Sequence, residues 1–401
     1  MDTKEGVIEV GSLISTRRET CRLCDSRKLV TILDLGDQYL PRFPKQIDLS
    51  LPTAPLVLVH CSDCGLLQLR DTVNPDLLFR EYWYRSSVNQ TMKDALRDIV
   101  KDGLLYHRSG RWLDIGANDG YLLSQVPPSF ERIACEPALN LADQCQRHAN
   151  LVVSNYFSAE HEVFRGADVI TSAAMFYDLD DPNKFVRDIC QCLTDDGVWI
   201  NQLNDAPTML SQNAFDGVCH EHLTYYDVPR LANLYHECGL TITDIGHNDV
   251  NGGSVRVAAR KSKSGFFQAN LMGLFRCSEK DLERFSKRAA KWKRTVRSLL
   301  DSLDGTIWAY GASTKGTVLL QYLGIEDQIV AVADRNPAKF GLYMAGAWLP
   351  ITDEVTMRSA KPSYLLVLPW SFKPEFVERE RPLLDSSTTM VFPLPSIEFV
   401  L

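Results

Sequence analysis

The alternation of apolar and polar positions divides the chain into regions of different character. Residues 1–20 show no clear periodicity and read as a flexible or edge segment. Residues 21–70 place short apolar runs such as Leu56-Val57-Leu58-Val59 among turn formers, the pattern of small strands around a knot. Helical spacing takes over at 74–108. Asn74 is a cap and Pro75 fits the first helical position, and a longer helix starts at about Asn89. From 111 onward apolar strands alternate with helical stretches. Strands are predicted at 112–116, 132–136, 167–172 and 197–201, with a late strand at 252–259 closing the unit. Such alternation predicts a mostly parallel, doubly wound α/β sheet. Apolar residues Leu282, Phe285, Ala289, Trp292, Val296 and Leu299 recur at spacings of three and four, so 279–300 is an amphipathic helix. Its other face is basic, which suits a solvated connecting helix, with nucleic-acid or membrane contact as the rival. A second α/β unit begins at Thr306, with strands at 307–310, 328–334 and 363–368.

The resulting plan is a module at 15–72, a helical connector at 73–108, a central α/β domain at 109–262, a connecting helix at 278–303 and a C-terminal domain at 304–401. The last resembles half of a Rossmann-type sheet. A length of 401 residues suits two or three domains. The net charge of −8 argues against a general nucleic-acid binder but leaves room for a local anion site. No apolar stretch reaches the length of about 18 residues that spans a membrane, and residues 1–16 lack the basic flank and apolar run of a signal peptide. Of 11 cysteines, four form two C-x-x-C pairs and the rest are scattered. The expectation is a reducing, cytoplasmic setting with one metal site.

Cys21-x-x-Cys24 and Cys61-x-x-Cys64 offer four thiolates, the donor set of a tetrahedral zinc, with free thiols or a redox pair as the alternative. Four protein ligands leave no open position, so the zinc would be structural and would fold a segment too small to hold itself. Leu113-Asp114-Ile115-Gly116-Ala117-Asn118-Asp119-Gly120 follows a strand and opens a helix. Gly116 allows a tight turn and Gly120 the close approach of a ligand. The second strand ends in Glu136, whose carboxylate can accept from both hydroxyls of a ribose. An acidic residue inside the loop disfavours a pyrophosphate and suits a cationic, phosphate-free cofactor such as S-adenosylmethionine (SAM), with NAD or a structural turn as rivals. His220-Glu221-His222, read as part of a strand, would turn His220 and His222 to one face and Glu221 to the other. An imidazole moving a proton beside a carboxylate fits better than a metal site, and a buried polar cluster is the third reading. Gly311-Ala312-Ser313-Thr314-Lys315-Gly316 is an anion cradle at a helix start, or a plain helix cap; it lacks the spacing of a Walker A loop. The run Tyr82-Trp83-Tyr84-Arg85-Ser86-Ser87 either lines a pocket or packs beneath a loop.

Taken in order, these motifs, with Asn251-Gly252-Gly253-Ser254-x-Arg256, resemble the sugar C-methyltransferase family over nearly the whole chain, from Cys21 to about Phe392. The resemblance implies a class I SAM-methyltransferase sheet flanked by a zinc-binding N-terminal module and a second, Rossmann-like C-terminal domain. It implies SAM contacts from Asp114, Gly116, Asn118, Gly120, Glu136 and Ala174. It implies a nucleotide-linked keto-sugar, or a similar small phosphorylated substrate, held by Asn251, Arg256, Ser313, Thr314 and Lys315. A base removes the proton beside the ketone and the enolate carbon takes the methyl group. His222 matches the family's base, Glu221 its carboxylate and Tyr84 an active-site tyrosine, with His220 and Tyr177 completing the catalytic set. Cys219 stands where the family's keto-sugar enzymes carry a tyrosine, and Tyr177 where they carry a histidine. A tyrosine can donate to an enolate, but with a pKa of about 10 it is a poor proton shuttle. Methylation of oxygen or nitrogen on another acceptor, and a non-catalytic scaffold, are the remaining readings.

Overall fold

The computed structural model describes residues 14–261, 277–325, 327–386 and 388–401. Most of the N-terminal segment and the predicted end of the central domain at 262 lie outside these.

Side-chain caps define where the helices begin. Asn89 Oδ1 accepts from the Met92 N–H and opens the helix Gln90–Tyr106. That helix buries Leu96, Ile99 and Val100 against the central sheet and Met92 against Val250. Gly103 permits the contact, because a Cβ there would lie 2.4 Å from the Trp112 ring. Asp181 and Asp227 cap helices that carry Pro182 and Pro229 in their first turns.

Seven strands form the central sheet in the order Leu240–Asn248, Ser254–Lys261, Leu193–Asn204, Ala167–Ala173, Gly110–Ile115, Phe130–Cys135 and Leu151–Val153. Ser254–Lys261 runs antiparallel to both neighbours, and the other pairings are parallel. This is the doubly wound sheet of class I SAM methyltransferases. The chain order reverses at Gly110–Ile115, which leaves a crevice at the carboxyl end of that strand. Two strands escaped the sequence pattern. Leu151–Val153 is only three residues long, and Leu240–Asn248 is a largely solvent-facing edge rich in Thr, Asp, Gly and His.

The N-terminal module is an antiparallel sheet in the order Thr224–Tyr225, Leu67–Leu69, Thr53–Cys61, Leu29–Tyr39. Its outermost short strand is lent by the central domain. Ser15–Arg17 pairs separately with Asp71–Val73. The C-terminal sheet runs Ile351–Asp353, Ile329–Asp334, Ile307–Tyr310, Tyr364–Val367, Thr389–Phe392, Glu398–Val400, with only the last pairing antiparallel.

The three parts share cores. Leu33, Leu56 and Leu58 of the module, Phe215 of the central domain, Phe285 of the connecting helix and Leu319 of the C-terminal domain belong to one apolar cluster. Backbone hydrogen bonds from Tyr343 to Pro44 (2.8 Å) and from Ala345 to Arg42 (3.1 Å) tie module to C-terminal domain. Gln321 brackets Tyr39, accepting from its N–H at 2.8 Å and donating to its carbonyl at 3.2 Å. The helix Glu279–Ser302 is closed by a Ser278–Asp281 capping box. Part of its basic face is used internally: Arg288 donates to the carbonyls of Leu210 and Ser211, and Arg297 to that of Leu323. Among the described residues no helix is long and apolar enough to cross a membrane.

Candidate active site

Two knuckles bring the four cysteines of the module together. Cys21 and Cys64 approach to 3.4 Å and Cys24 and Cys61 to 3.7 Å, and all four Sγ atoms lie within 4.8 Å of one another. A tetrahedral zinc with Zn–S bonds of about 2.3 Å sets its sulfurs about 3.8 Å apart, so the donor set fits the ion. The Arg22 guanidinium is buried beside the knuckle and reaches Asp180 of the central domain at 3.1 Å and Thr72 at 2.6 Å.

At the carboxyl end of Gly110–Ile115 the chain turns through Gly116 (φ +71°) and Asn118 (φ +53°). A Cβ on Gly116 would lie 3.1 Å from Met175, so a side chain would crowd this turn. Glu136 reaches back to it. Its Oε2 accepts from the Asn118 N–H at 2.7 Å and its Oε1 from the Ala138 N–H at 2.8 Å. Each oxygen keeps a lone pair for a ligand hydroxyl. Asp114 accepts from Thr171 Oγ1 at 2.7 Å, and burial pushes its pKa up to about 7. The segment 84–87 is laid over the loop: Asn118 donates to the Tyr84 carbonyl at 3.1 Å and accepts from the Ser86 N–H at 3.0 Å, and Asp119 accepts from the Ser87 N–H at 3.0 Å.

His220-Glu221-His222 does not form a strand. It is a tight turn closed by the His222 N–H on the Cys219 carbonyl at 3.0 Å. The strand reading is therefore corrected, and with it the pairing of side chains. His220 turns toward the module and its Nε2 meets the Ala54 carbonyl at 3.0 Å. Glu221 and His222 converge instead, with Cys219, on atoms within 4.8 Å of one another. The Nδ1 of His222 lies 2.9 Å from the Gly217 carbonyl. A carbonyl only accepts, so Nδ1 carries the proton and Nε2 keeps its lone pair. Burial, helped by the charge of Lys315, lowers the His222 pKa to about 3, so the ring is neutral. Burial raises Glu221 to about 7. The Tyr177 ring packs on His222 with centroids 4.3 Å apart.

The C-terminal domain closes over this turn. Ser313 caps the helix Thr314–Leu323, accepting from the Gly316 N–H at 3.0 Å. Thr314 Oγ1 donates to Glu221 Oε1 at 3.2 Å, and Lys315 Nζ donates to the Asn251 carbonyl at 3.1 Å. One cavity of about 460 Å³ runs through all of these groups. It is walled by Asp114, Gly116, Asn118, Glu136 and Ala174 at the glycine loop, by Tyr84, Tyr177, His220, Glu221 and His222 at the turn, and by Asn251, Ser313, Thr314 and Lys315 beyond.

Two expected residues are not brought to it. Gly120 caps the short helix Tyr121–Gln125 at φ +78°, where a Cβ would lie 3.0 Å from the Cys145 Cα; its lack of a side chain serves chain packing, not ligand approach. Arg256 faces the helix Gln90–Tyr106, bonded to Asp102 at 2.7 Å, to Gln202 at 2.9 Å and to the Ala95 carbonyl at 3.3 Å. Sequence reasoning assigned no catalytic or binding role to other residues that do line the cavity. Tyr82 reaches Glu221 at 3.5 Å, Lys339 donates to the Ala312 carbonyl at 2.5 Å, and Asp178, Asn204 and Asp216 each hold a buried oxygen without a partner among the described residues. Only Tyr82 carried a local signal, in the aromatic run.

Comparison with known proteins matches three successive stretches of the chain. A zinc binding domain matches residues 21–79, a methyltransferase domain 84–245 and a C-methyltransferase C-terminal domain 249–395. The C-methyltransferase NovU of Streptomyces niveus is 27% identical over 403 residues, covering 94% of this chain and 96% of NovU. Among solved structures, a SAM-dependent methyltransferase from Clostridium acetobutylicum is 14% identical with a TM-score of 0.36, covering 44% of this chain and 94% of its own. The CcbJ methyltransferase of Streptomyces caelestis is 14% identical with a TM-score of 0.36, covering 45% of this chain and 100% of its own. The chain is a SAM-dependent methyltransferase with a structural zinc module. Its likeness to C-methyltransferases extends from residue 21 to residue 395.

Proposed function

We propose that this chain methylates a carbon atom of a nucleotide-linked keto-sugar, with His222 as the base that removes the proton beside the ketone. The observation that carries this reading is the continuity of one cavity from the Gly116–Glu136 pair, through Glu221 and His222, to Ser313, Thr314 and Lys315. Asp114, the Gly116 turn, Glu136 and Ala174 would hold SAM, whose sulfonium supplies an electrophilic methyl group. Ser313, Thr314, Lys315 and the neighbouring Lys339 offer hydroxyls and cations to a diphosphate, and Asn251 lines the same end.

A carbon nucleophile requires its proton to be taken at a defined place. His222 meets that need. Its Nδ1–H is anchored on Gly217, its Nε2 lone pair meets no protein donor among the described residues, and it stays neutral throughout the physiological range. Glu221 sits beside it to balance the imidazolium formed on abstraction, and is itself oriented by Thr314 and Tyr82. Tyr84 and Tyr177 position the acceptor and, with the apolar wall from Phe43 and Phe79, limit the access of water. His220, held on Ala54, orients the turn. Thiolates kept for zinc suit a cytoplasmic setting.

Incubation with SAM labelled at the methyl carbon and a panel of nucleoside-diphosphate keto-sugars tests the reading. The expected product shows carbon–carbon coupling to the label in its NMR spectrum. Label found only on oxygen or nitrogen would overturn it.

A further inference from the structure

The turn after the strand Ala167–Ala173 presents Met175, Phe176, Tyr177 and Asp178. Phe176 packs on Trp199 and Tyr226, and Tyr177 on His222. Asp178 has no such partner. Its carboxyl lines the cavity, and its Oδ1 is shut off from solvent without a hydrogen bond among the described residues. Two residues on, Asp180 shows what a paired carboxylate looks like here: it holds Arg18 at 3.0 Å and Arg22 at 3.1 Å.

An ionised carboxylate without donors is expensive to bury, and such a group takes up a proton instead. Among the described residues the groups that act on Asp178 or feel its charge, Glu221, Tyr177, Tyr82, Cys219 and Tyr225, carry no positive charge. Burial and the charge of Glu221 both push its pKa upward. A neutral carboxylic acid has one O–H to give, and the Asp178 Oδ1 has no hydrogen-bond partner among the described residues.

We infer that Asp178 is a further catalytic residue: a neutral carboxylic acid that donates its O–H to the acceptor oxygen on which charge builds as the neighbouring C–H bond breaks. The inference rests on the proposed C-methylation. His222 takes the proton, the C–H electron pair becomes the C=C bond of the enolate, and the former ketone oxygen, now negative, is met by the Asp178 proton. When that carbon forms its new bond to the methyl group, the donor's carbon–sulfur bond breaks and leaves its electron pair on sulfur as the neutral thioether of S-adenosylhomocysteine, the C=O bond returns and Asp178 retains its proton. The acceptor's own proton leaves from His222 to water. Tyr177 was the residue expected from the sequence to serve the acceptor oxygen; its neighbour Asp178 also brings a polar group without a partner, among the described residues, to the cavity wall.

Asp178→Asn and Asp178→Ala in the full chain test this with three readouts. Infrared difference spectra at neutral pH, taken without any acceptor, are expected to show the carbonyl stretch of a neutral aspartic acid in the parent protein and its loss in Asp178→Asn; no such band in the parent overturns the inference. Calorimetry with S-adenosylhomocysteine is expected to give parental affinity for both variants, showing the fold retained. With SAM and dTDP-4-keto-6-deoxyglucose as probe, Asp178→Ala is expected to lose about 10²- to 10³-fold in kcat with little change in KM, and Asp178→Asn less, because its amide still donates. A parent that turns over the probe and an Asp178→Ala variant with undiminished kcat would defeat the donor role alone. A parent that turns over neither this probe nor the wider keto-sugar panel would defeat the acceptor reading and the donor role together.

Discussion

Thr314 of the C-terminal domain donates its hydroxyl to the Glu221 carboxylate of the central domain at 3.2 Å. That bond crosses the boundary between the two α/β units. It sets the helix start at Ser313-Thr314-Lys315 and the turn at Glu221-His222 in one frame.

The first consequence concerns His222. Replacing it by Ala removes the imidazole that converges with Glu221 and packs on Tyr177 in the cavity. Turnover is expected to fall by about 10²-fold or more, while affinity for S-adenosylhomocysteine stays near that of the parent. Steady-state kinetics paired with calorimetry checks both.

The pH profile should carry the signature of Glu221. With its pKa raised to about 7 by burial, it supports an imidazolium only when ionised. Activity is therefore expected to rise with pH through about 7, and Glu221→Gln should flatten that limb. A limb unchanged in Glu221→Gln would assign it to another group.

His220 leaves a different trace, in stability. Burial lowers its pKa from 6.5 to about 4. Between those values the unfolded chain binds a proton that the folded chain refuses, so stability falls as the pH drops through this window and is level above it. The contribution is at most about 3 kcal/mol. Glu221, raised in the fold, acts in the opposite direction, so the difference between variants is the useful quantity. His220→Gln should lose less stability than the parent between pH 6.5 and pH 4, as read by thermal melts.

Zinc removal should reach beyond the module. Phe43, Val73 and Phe79 wall the cavity, and the knuckle residue Arg22 is bound to Asp180. Chelation, or Cys61→Ser, is expected to lower the melting temperature and weaken S-adenosylhomocysteine binding while the helical circular dichroism of the two α/β domains largely persists. Elemental analysis should give one zinc per chain in the parent.

Arg256 separates structure from substrate contact. Its bonds to Asp102 and Gln202 predict that Arg256→Ala loses about 1–3 kcal/mol of stability with no change in acceptor KM. A raised KM at unchanged stability would restore the substrate role read from the sequence.

Much of this architecture was legible in the chain because the signals were local. Asn74 and Asn89 cap the helices expected of them, and the two C-x-x-C pairs meet as a knuckle pair must. The turn after Trp112 and the carboxylate of Glu136 come together because a βαβ unit of that spacing admits little else. What failed depended on tertiary context. A run of polar residues such as His220-Glu221-His222 looks alike in a strand and in a turn, and only the Cys219–His222 bond decides which side chains share a direction. Arg256 is claimed by Asp102, 154 positions away, which no local pattern reports. Lys339 and Asp178 reach the cavity only through the packing of separate elements.

The Asn118–Glu136 corner is the place proposed to grip the methyl donor, and calorimetric titration of S-adenosylhomocysteine into the parent and Glu136→Ala tests this most directly. Micromolar binding in the parent, weakened at least about tenfold in the variant, about 1.4 kcal/mol, is the predicted result. Equal affinities, or no binding to the parent at high micromolar ligand, would contradict it.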